Sequence, residues 1–255
     1  MDWLLKYFAP FQTALKKTVS SFITLETADD KYTLVSKDGS LISYIKVEGA
    51  RQIIGEEEFK NLIESSTIKI GSRFDRPGHA MQVYFVRDPF RIKAFLDKKV
   101  APSRNTATNI DMSLDDVFDE RVNHLSHFLS YEEAFFVLWT RPSILTKSEL
   151  DRVKNDEKEK KWVNAPDAQN PTAGIKILQT RHKSYISSII SALDELGIKA
   201  DKLEAHDALR AVRDNMFPDK ANEKWRACLP GDPIPARAPT SVRDMSEILW
   251  PSLPS

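Results

Sequence analysis

The side chains that could carry nucleophilic or acid–base chemistry are few in this sequence. Its 255 residues include five histidines and one cysteine. A histidine beside a serine or a cysteine can activate it as a nucleophile, but no G-x-S-x-G turn and no recognised cysteine-nucleophile sequence surrounds any of these residues. Cys228 precedes Leu229 and Pro230 and is interpreted as a small connector residue. The sequence therefore predicts no catalytic residues in this chain.

The spacing of two histidines is compatible with metal binding, which is a second possible chemistry. His124 and His127 are three residues apart on a predicted helix, a spacing that can place two imidazoles on one metal ion. The H-E-x-x-H sequence of metalloproteases is missing, so we predict exposed or hydrogen-bonded histidines and no metal site. Glu56, Glu57 and Glu58 offer three adjacent carboxylates, but they fall in the first turn of a predicted helix, where the backbone dipole favours them.

Nucleotide binding would require a phosphate-binding loop. The chain has eight glycines, and none of them precedes a Lys-Ser or Lys-Thr pair, so the sequence lacks the glycine-rich loop that cradles a nucleotide phosphate. Arg181, His182 and Lys183 form a small basic cluster that opens a predicted helix. We interpret this cluster as a solvated face, with a local phosphate contact as the alternative. No cofactor is expected in this chain.

Composition limits the classes of function. The 37 Lys and Arg residues balance 37 Asp and Glu residues, so the net charge is zero, whereas a general nucleic-acid binder usually carries a basic excess. A single cysteine and the lack of a cleavable signal-peptide pattern favour a reducing, cytoplasmic setting. No run of residues approaches the roughly 18 apolar residues that span a bilayer.

Four strand-like runs predict an α+β fold with a mainly antiparallel sheet. Residues 32–36 and 41–47 flank the turn at 37–40, where Asp-Gly readily takes the positive φ angles of a tight turn, so these runs predict a β-hairpin. Two strands alone are rarely stable in water, so we expect residues 80–87 and 134–140 to join them. Helices are predicted to pack on at least one face of this sheet.

Helical periodicity predicts the elements that cover the sheet. An apolar stripe is predicted to begin at Phe59, and another is predicted to end at Gly197, a residue that can take the left-handed conformation of a helix end. A third stripe is predicted to turn Val117 and Phe128 inward. Residues 101–112 are polar enough to predict a loop.

The first 21 residues form a predicted amphipathic segment. Large apolar side chains recur there at helical spacing, with lysines nearby, and they are Trp3, Leu4, Tyr7, Phe8 and Phe11. Three interpretations of this segment remain open: packing on its own domain, docking to a partner subunit, or lying on an anionic membrane surface. These five side chains are the candidate contact with a partner or a membrane.

Domain organisation follows from changes in composition. Residues 22–218 are predicted to form the α+β domain, with a flexible Pro-containing loop near 163–174. Six prolines fall within residues 230–254, and proline at that density favours an extended connector over a packed core. We therefore predict a Pro-rich connector over residues 219–255 and expect it to lead toward a further domain.

One stretch of the chain resembles a known family. An F-x-x-L-E-T phrase is followed by a strand, a D-G-S turn and an apolar strand that ends in glycine, and these residues are Phe22, Leu25, Glu26, Thr27, Asp38, Gly39, Ser40 and Gly49. This order resembles the opening of the large ATPases of conjugation and type IV secretion, and it is most similar to the IcmB (DotO) family of type IVB Dot/Icm systems. The helix, glycine, short strand and helix order of residues 186–216 also resembles the end of the ferredoxin-like part of these ATPases.

The resemblance implies a function. It implies a non-catalytic N-terminal assembly and docking domain of an ATPase that powers secretion of effector proteins or conjugation, in the bacterial cytoplasm at the inner membrane. Inner-membrane subunits of the secretion complex are the implied partners, with hexamer-type self-association of the full-length protein, optional peripheral membrane contact and no direct nucleic-acid contact. ATP and Mg²⁺ are expected in a C-terminal ATPase domain beyond Ser255. The alternative is an independent α+β enzyme with a dispersed active site.

Overall fold

The computed structural model describes residues 23–74, 77–159, 176–218, 225–229 and 231–233. Its strands are β1 Leu25–Asp30, β2 Thr33–Ser36, β3 Leu41–Ala50, β4 His79–Asp88, β5 Tyr131–Thr140 and β6 Ile198–Lys202. Its helices in that part of the chain are α1 Glu56–Gly71, α2 Ile92–Asn109, α3 Asp115–Ser126, α4 Lys147–Glu159, α5 Lys176–Glu195 and α6 Ala205–Met216. The predicted N-terminal segment, the loop near 163–174 and most of the Pro-rich connector lie outside the described residues.

The six strands form one sheet in the order β1-β2-β3-β5-β4, and β6 pairs with β3 beside β2. The pairs β1–β2, β2–β3 and β3–β6 are antiparallel. In the hairpin Leu34 lies opposite Ile42, and farther along β3 the residue opposite Lys202 of β6 is Ile45. The predicted α+β class, the mainly antiparallel sheet and the hairpin are therefore confirmed.

The hairpin turn has a different geometry from the predicted one. Gly39 has a φ of 77°, but Asp38 does not take a positive φ. The Asp38 carboxylate instead accepts hydrogen bonds from the backbone N–H of Ser40 at 3.0 Å and from the Ser36 hydroxyl. Because the N–H of Gly39 also donates to the Ser36 carbonyl at 2.9 Å, the chain closes a three-residue loop whose last residue is a left-handed glycine.

The chain divides into two compact units. Unit 1 comprises Met1–Gln82 and Phe136–Ser255, and unit 2 comprises Val83–Phe135. In unit 1 one buried cluster centres on Ile45, Leu138 and Ile189, and a second contains Val35, Leu41, Leu145 and Leu178. Both clusters combine strand residues with residues of α5, so the sheet and this helix form the core of unit 1.

Helix α5 follows its predicted stripe. Ile186, Ile189 and Leu193 are buried, and the helix ends before Gly197, whose φ is 70°. A left-handed residue at this place closes the last helical turn, and glycine adopts that conformation without a Cβ penalty. The chain then enters β6, so the predicted helix, glycine, strand order is confirmed.

In unit 2 the prediction of a loop at residues 101–112 is wrong, because most of these residues are helical. Helix α2 continues through Pro102 to Asn109. The hydroxyls of Thr106 and Thr108 donate to backbone carbonyls one turn earlier, and Arg104 bonds to carboxylates at the start of α3. The polar side chains that suggested a loop therefore form hydrogen bonds along α2 and ion pairs between α2 and α3.

Candidate functional site

The five predicted contact residues, Trp3, Leu4, Tyr7, Phe8 and Phe11, lie outside the described residues. Their role stays a prediction. Two other features of the described chain are candidates for function. One is a buried network of histidines and hydroxyl groups in unit 1, and the other is a set of exposed apolar side chains that is most dense in unit 2.

The buried network joins β3, β5 and α5. His182 of α5 places Nε2 at 3.0 Å from Oγ of Ser43 and Nδ1 at 2.8 Å from Oγ1 of Thr140. The same Thr140 hydroxyl lies 3.2 Å from Nδ1 of His79 on β4. Ser43, Thr140 and His182 are at most 1% exposed. One imidazole thus links two strands of the sheet to the helix that covers them.

The direction of each hydrogen bond in the network follows from one carbonyl. The Ser43 hydroxyl lies 2.8 Å from the backbone oxygen of Tyr32, which can only accept, so Ser43 donates its proton there. Ser43 must then accept from Nε2–H of His182, and neutral His182 accepts at Nδ1 from the Thr140 hydroxyl. Thr140 in turn accepts from Nδ1–H of His79. The four side chains form a single donor chain that ends at a backbone carbonyl.

The protonation state of His182 agrees with this assignment. Burial, and then the charge of His79 nearby, lower the pKa of His182 from 6.5 to about 3. The imidazole is therefore neutral at pH 7. A protonated His182 would direct a second N–H at Thr140, whose own proton already points at the ring, so the network itself disfavours the cation.

Aromatic packing extends the network at its outer end. The ring of Tyr185 stacks on His79 with a centroid distance of 4.1 Å, and Phe74 meets Tyr185 edge-on at 6.2 Å. The Tyr185 hydroxyl donates to the carbonyl of Ala80 at 3.4 Å, and burial raises the pKa of this phenol. Tyr185 is thus a neutral core residue that holds His79 in place.

This arrangement is unsuited to nucleophilic catalysis. A serine nucleophile needs a histidine that accepts its proton, whereas Nε2 of His182 donates to Ser43. Both side chains are also enclosed by the core, so a substrate would have no access to Ser43. The network instead satisfies polar groups at the junction of β3, β5 and α5, which is how buried polar residues are ordinarily accommodated.

The three residues of the basic cluster predicted as a solvated face have different surroundings. His182 is buried, which overturns the prediction for that residue. Arg181 pairs with Glu149 at 2.6 Å, and Lys183 lies 3.2 Å from the Asp30 carboxylate. Each cation of the cluster therefore has an acidic neighbour inside the protein, and the three side chains do not converge on one phosphate.

The two histidines with metal-ligand spacing are exposed on α3 and at its end. His124 lies against the Phe128 ring at 5.1 Å, and Nδ1 of His127 is 2.6 Å from the carbonyl of Asn123. Across the described ranges, no group of three or more His, Cys, Asp or Glu side chains is arranged to hold a metal ion. Glu56, from the predicted first turn of α1, pairs with Lys60 at 2.8 Å.

A shallow surface cavity of about 310 Å³ lies beside α5 and β6. Arg51, Asp194 and Glu195 line it, together with small and apolar side chains. Arg51 already pairs with Asp194, and Glu195 pairs with Lys69 at 2.6 Å. The cavity has two carboxylates and a neutralised cation, so it is poorly suited to a phosphate.

Exposed apolar side chains are concentrated in unit 2. Among the described residues thirteen large apolar side chains are exposed, and nine of them belong to unit 2. These nine are Val83, Phe85, Phe90, Phe95, Ile110, Met112, Val117, Phe128 and Leu129. Where exposed apolar side chains form one patch, they are typical of protein or membrane contact sites.

Several of the exposed apolar side chains were predicted to face inward. On α3 the buried residue is Val122, whereas Val117 is 53% exposed and Phe128 is 75% exposed. On α1 Phe59 and Ile63 are each about half exposed. The predicted apolar stripes are therefore present, but their side chains are exposed. On α3 the buried face is the one that contacts α2.

The buried network is not predicted by the sequence. His182 was expected in a surface cluster, and Ser43 and Thr140 were expected only as strand residues. One signal was available, since Leu178, His182 and Ile186 recur at intervals of four and place the histidine on the apolar stripe of α5. No sequence pattern pairs that histidine with hydroxyl groups on two distant strands.

Comparison with known proteins adds no family assignment. No protein-family model matches the chain, and a search of curated proteins finds no match. Within the described part of the chain, no helix is both long enough and apolar enough to cross a membrane. The resemblance to secretion ATPases therefore stays a prediction.

Proposed function

We propose that this chain is the N-terminal assembly and docking domain of an ATPase that resembles those of type IVB secretion and conjugation, and that it carries no active site of its own. The observation that carries the proposal is the exposed apolar surface, above all the nine large side chains of unit 2. Burying such surface against a partner is favourable, by roughly 25 cal/mol per Å² removed from water. A domain that presents it is suited to assembly.

Several residues that carry the family resemblance are buried or form the hairpin turn. Leu25 and Thr27 are buried on β1, and Ser40 is buried where the hairpin turn enters β3. Gly39 has the positive φ that the turn requires. Residues with such roles are expected to recur where a fold is shared, which supports the proposed relation to the N-terminal part of the secretion ATPases.

The buried network favours this function over an independent enzyme. Its one histidine–serine contact, His182 with Ser43, has the proton direction opposite to that of a catalytic pair. By resemblance, ATP and Mg²⁺ belong to a separate ATPase domain of the full-length protein. The proposed partners are subunits of the inner-membrane secretion complex and further copies of the protein, at the cytoplasmic face of the bacterial inner membrane and without direct contact to nucleic acid.

The N-terminal segment is the proposed contact with the inner-membrane complex. Trp3, Tyr7, Phe8 and Phe11 are large side chains of the kind that dominate interface energies, and Leu4 adds aliphatic area. Each aromatic anchor is expected to contribute roughly 1–3 kcal/mol when buried in a partner. Losing several of them would then lower the binding affinity by more than about tenfold.

Deletion of residues 1–17 tests this proposal. We expect the truncated domain to keep its cooperative thermal transition, because the described core of unit 1 lies within residues 23–233. The truncated full-length protein should no longer sediment with the inner membrane in cell fractionation. A matched control replaces Lys6, Lys16 and Lys17 by alanine, which removes the charges of the segment and keeps its apolar anchors.

The two readouts separate the possible results. Loss of the cooperative transition would place the segment in the core of its own domain and overturn docking through it. Unchanged folding with unchanged membrane association would place docking elsewhere. If the lysine control alone releases the protein, and liposomes of anionic lipid bind the segment, the contact is with the membrane surface and not with a subunit.

A further inference from the structure

Part of the Pro-rich segment is packed in unit 1 beside helix α6. The structure describes residues 225–229 and 231–233 of this segment, and we call these residues the strap. Ala227 is 3% exposed and Leu229 is 6% exposed, so two apolar side chains of the strap are buried. The proline content of the segment favours an extended connector. Its beginning nevertheless belongs to the packed part of unit 1.

The strap runs back along α6, from the end of the helix toward its beginning. The Arg210 guanidinium donates to the carbonyl of Trp225 at 3.5 Å, and the Arg213 guanidinium lies 5.0 Å from the centroid of the Trp225 ring. At the other end of the strap, Asp232 lies 3.1 Å from Nε2 of His206 in the first turn of α6. Because His206 and Arg213 are seven residues apart, the strap retraces about 10 Å of the helix.

The Asp232 carboxylate connects the strap to α6 and to itself. Its Oδ2 accepts a hydrogen bond from the backbone N–H of Leu229 at 2.9 Å, and the Arg226 guanidinium lies 3.6 Å from its Oδ1. A carboxylate can only accept, so Nε2–H of His206 is the donor in the contact with Asp232. One side chain thus closes a turn of the strap and fixes that turn to the helix.

The turn itself requires a glycine. The N–H of Asp232 donates to the carbonyl of Leu229 at 3.0 Å, and Gly231, at the third position of this turn, has a φ of 90°. Glycine takes a positive φ without steric cost, whereas a residue with a Cβ is strained there. The strap therefore depends on Gly231 for its shape and on Asp232 for its attachment.

We propose that the strap is a releasable clasp, which opens from α6 while the rest of unit 1 stays folded. Few apolar groups hold it, and its polar contacts reach the surface. The side chains of His206 and Asp232 are 21% and 20% exposed, and that of Arg226 is 71% exposed. Segments with few buried apolar contacts open locally, at a free energy below that of global unfolding. The strap has the contacts of such a segment.

The state of the strap determines where the following chain begins. When the strap is closed, Pro233 is held near the first turn of α6. When it is open, the chain is free from the end of α6 onward. The stretch of about 16 residues from Phe217 to Pro233 can then extend to roughly 50 Å. Opening thus gives unit 1 a long tether to the chain that follows residue 233. This inference does not depend on the resemblance to secretion ATPases.

Cys228 is a natural probe of this opening, because it is the single cysteine of the chain and lies in the strap. Its modification by a neutral disulfide reagent, dithiodipyridine, is timed on the full 255-residue chain, both folded and unfolded in urea. We expect the folded wild type to react at least about tenfold more slowly than the unfolded chain, because the rate follows the open population.

Two substitutions should release the strap without unfolding unit 1. His206→Ala and Asp232→Ala should each raise the rate of the folded chain by about three- to tenfold, the range that one net hydrogen bond represents. The urea midpoint, followed by circular dichroism, should change little. Gly231→Ala should raise the rate through the turn alone. In small-angle X-ray scattering, Asp232→Ala should have a larger maximum dimension than the wild type.

Asp207→Ala is the matched control, because it removes an exposed carboxylate next to His206 on α6. It should react and scatter as the wild type does. A folded wild type that reacts as fast as the unfolded chain overturns the proposal, since the strap would not be closed. Unchanged rates in both release variants also overturn it. So do rates that rise only in proportion to lost global stability, which would make the strap part of the core. An unchanged maximum dimension in Asp232→Ala overturns the longer tether.

Discussion

The imidazole of His182 donates from Nε2 to the hydroxyl of Ser43, across 3.0 Å of fully buried space. The direction of this bond is fixed by Ser43, which gives its own proton to the carbonyl of Tyr32. A pair that resembles a catalytic dyad in composition is therefore the reverse of one in proton direction. Its effect is on the stability of unit 1.

Replacing His182 should destabilise the fold strongly. His182→Leu keeps a side chain of similar size, but it leaves the hydroxyl of Thr140 without its acceptor and Ser43 without its donor. We expect a loss of about 2–4 kcal/mol in the free energy of unfolding, since a buried polar group without a partner costs about 1–3 kcal/mol. The measurement is urea denaturation followed by circular dichroism. His124→Leu, at an exposed position of α3, should change the midpoint little, and equal losses in both variants would contradict the account.

The buried histidine also predicts acid sensitivity. The pKa of His182 is about 3 in the folded chain and 6.5 as its ordinary value, so the unfolded chain binds the extra proton between these two pH values. Stability should therefore fall as the pH drops below 6.5, by about 2 kcal/mol at pH 5 from this residue alone, and continue falling toward pH 3. The free energy of unfolding is measured in urea at each pH from 7 to 4.

The variant His182→Leu is the control for this pH dependence, because it has no proton to bind. The difference in stability between wild type and variant should shrink steadily from pH 7 to pH 5. Carboxylates act in a lower window: the backbone N–H of Thr146 holds the pKa of Glu149 below its ordinary value of 4.5, and its contribution is lost only below that value. A constant difference between pH 7 and pH 5 would show that His182 is not the titrating group.

Local patterns were sufficient to predict the framework of unit 1. The runs that became β2 and β3 are marked by the Asp38-Gly39 turn, and the stripe of α5 ends at Gly197 as its spacing predicts. Such signals depend on neighbours in the sequence. The network around His182 could not be predicted in the same way, because its partners Ser43 and Thr140 come from strands that only the folded sheet brings together.

Helix α3 shows why burial was harder to predict than helicity. Its sequence carries two apolar faces, one with Val117 and Phe128 and one with Val122 and Leu125. Periodicity identifies both faces but does not tell which of them another element covers. Packing against α2 selects the second face, and the first becomes exposed surface. Over residues 101–112 the polar composition predicted a loop, but α2 continues through Pro102, and side-chain hydrogen bonds and ion pairs accompany it there.

Two glycines with nearly the same φ angle should respond differently to alanine. Gly49 has a φ of 105° with open space around a new Cβ, whereas Gly78 has a φ of 107° and its Cβ would lie 2.7 Å from that of Ile144. Both substitutions carry the backbone strain of a left-handed region, about 1–3 kcal/mol. Gly78→Ala adds a clash that should cost roughly 1–3 kcal/mol more. Thermal unfolding of the two variants measures the difference, and equal melting temperatures would contradict the close approach at Ile144.

The chain itself is predicted not to bind ATP. It lacks a phosphate-binding loop, and the cation of its surface cavity, Arg51, is already paired with Asp194. Calorimetric titration with Mg-ATP should give no saturable heat. Micromolar binding that survives alanine substitution of surface lysines would reveal a nucleotide site and favour an independent enzyme.

The most direct test of the proposed docking function is sedimentation of the purified chain with inner-membrane vesicles. The vesicles come from bacteria that carry a type IVB secretion complex and from the same strain without it, and protein-free liposomes of matched lipid composition are the third sample. We predict that the chain sediments with the first vesicles only. Alanine at Trp3, Tyr7 and Phe8 should weaken that binding by more than about tenfold. Equal binding to all three samples, or binding to none, would contradict the account.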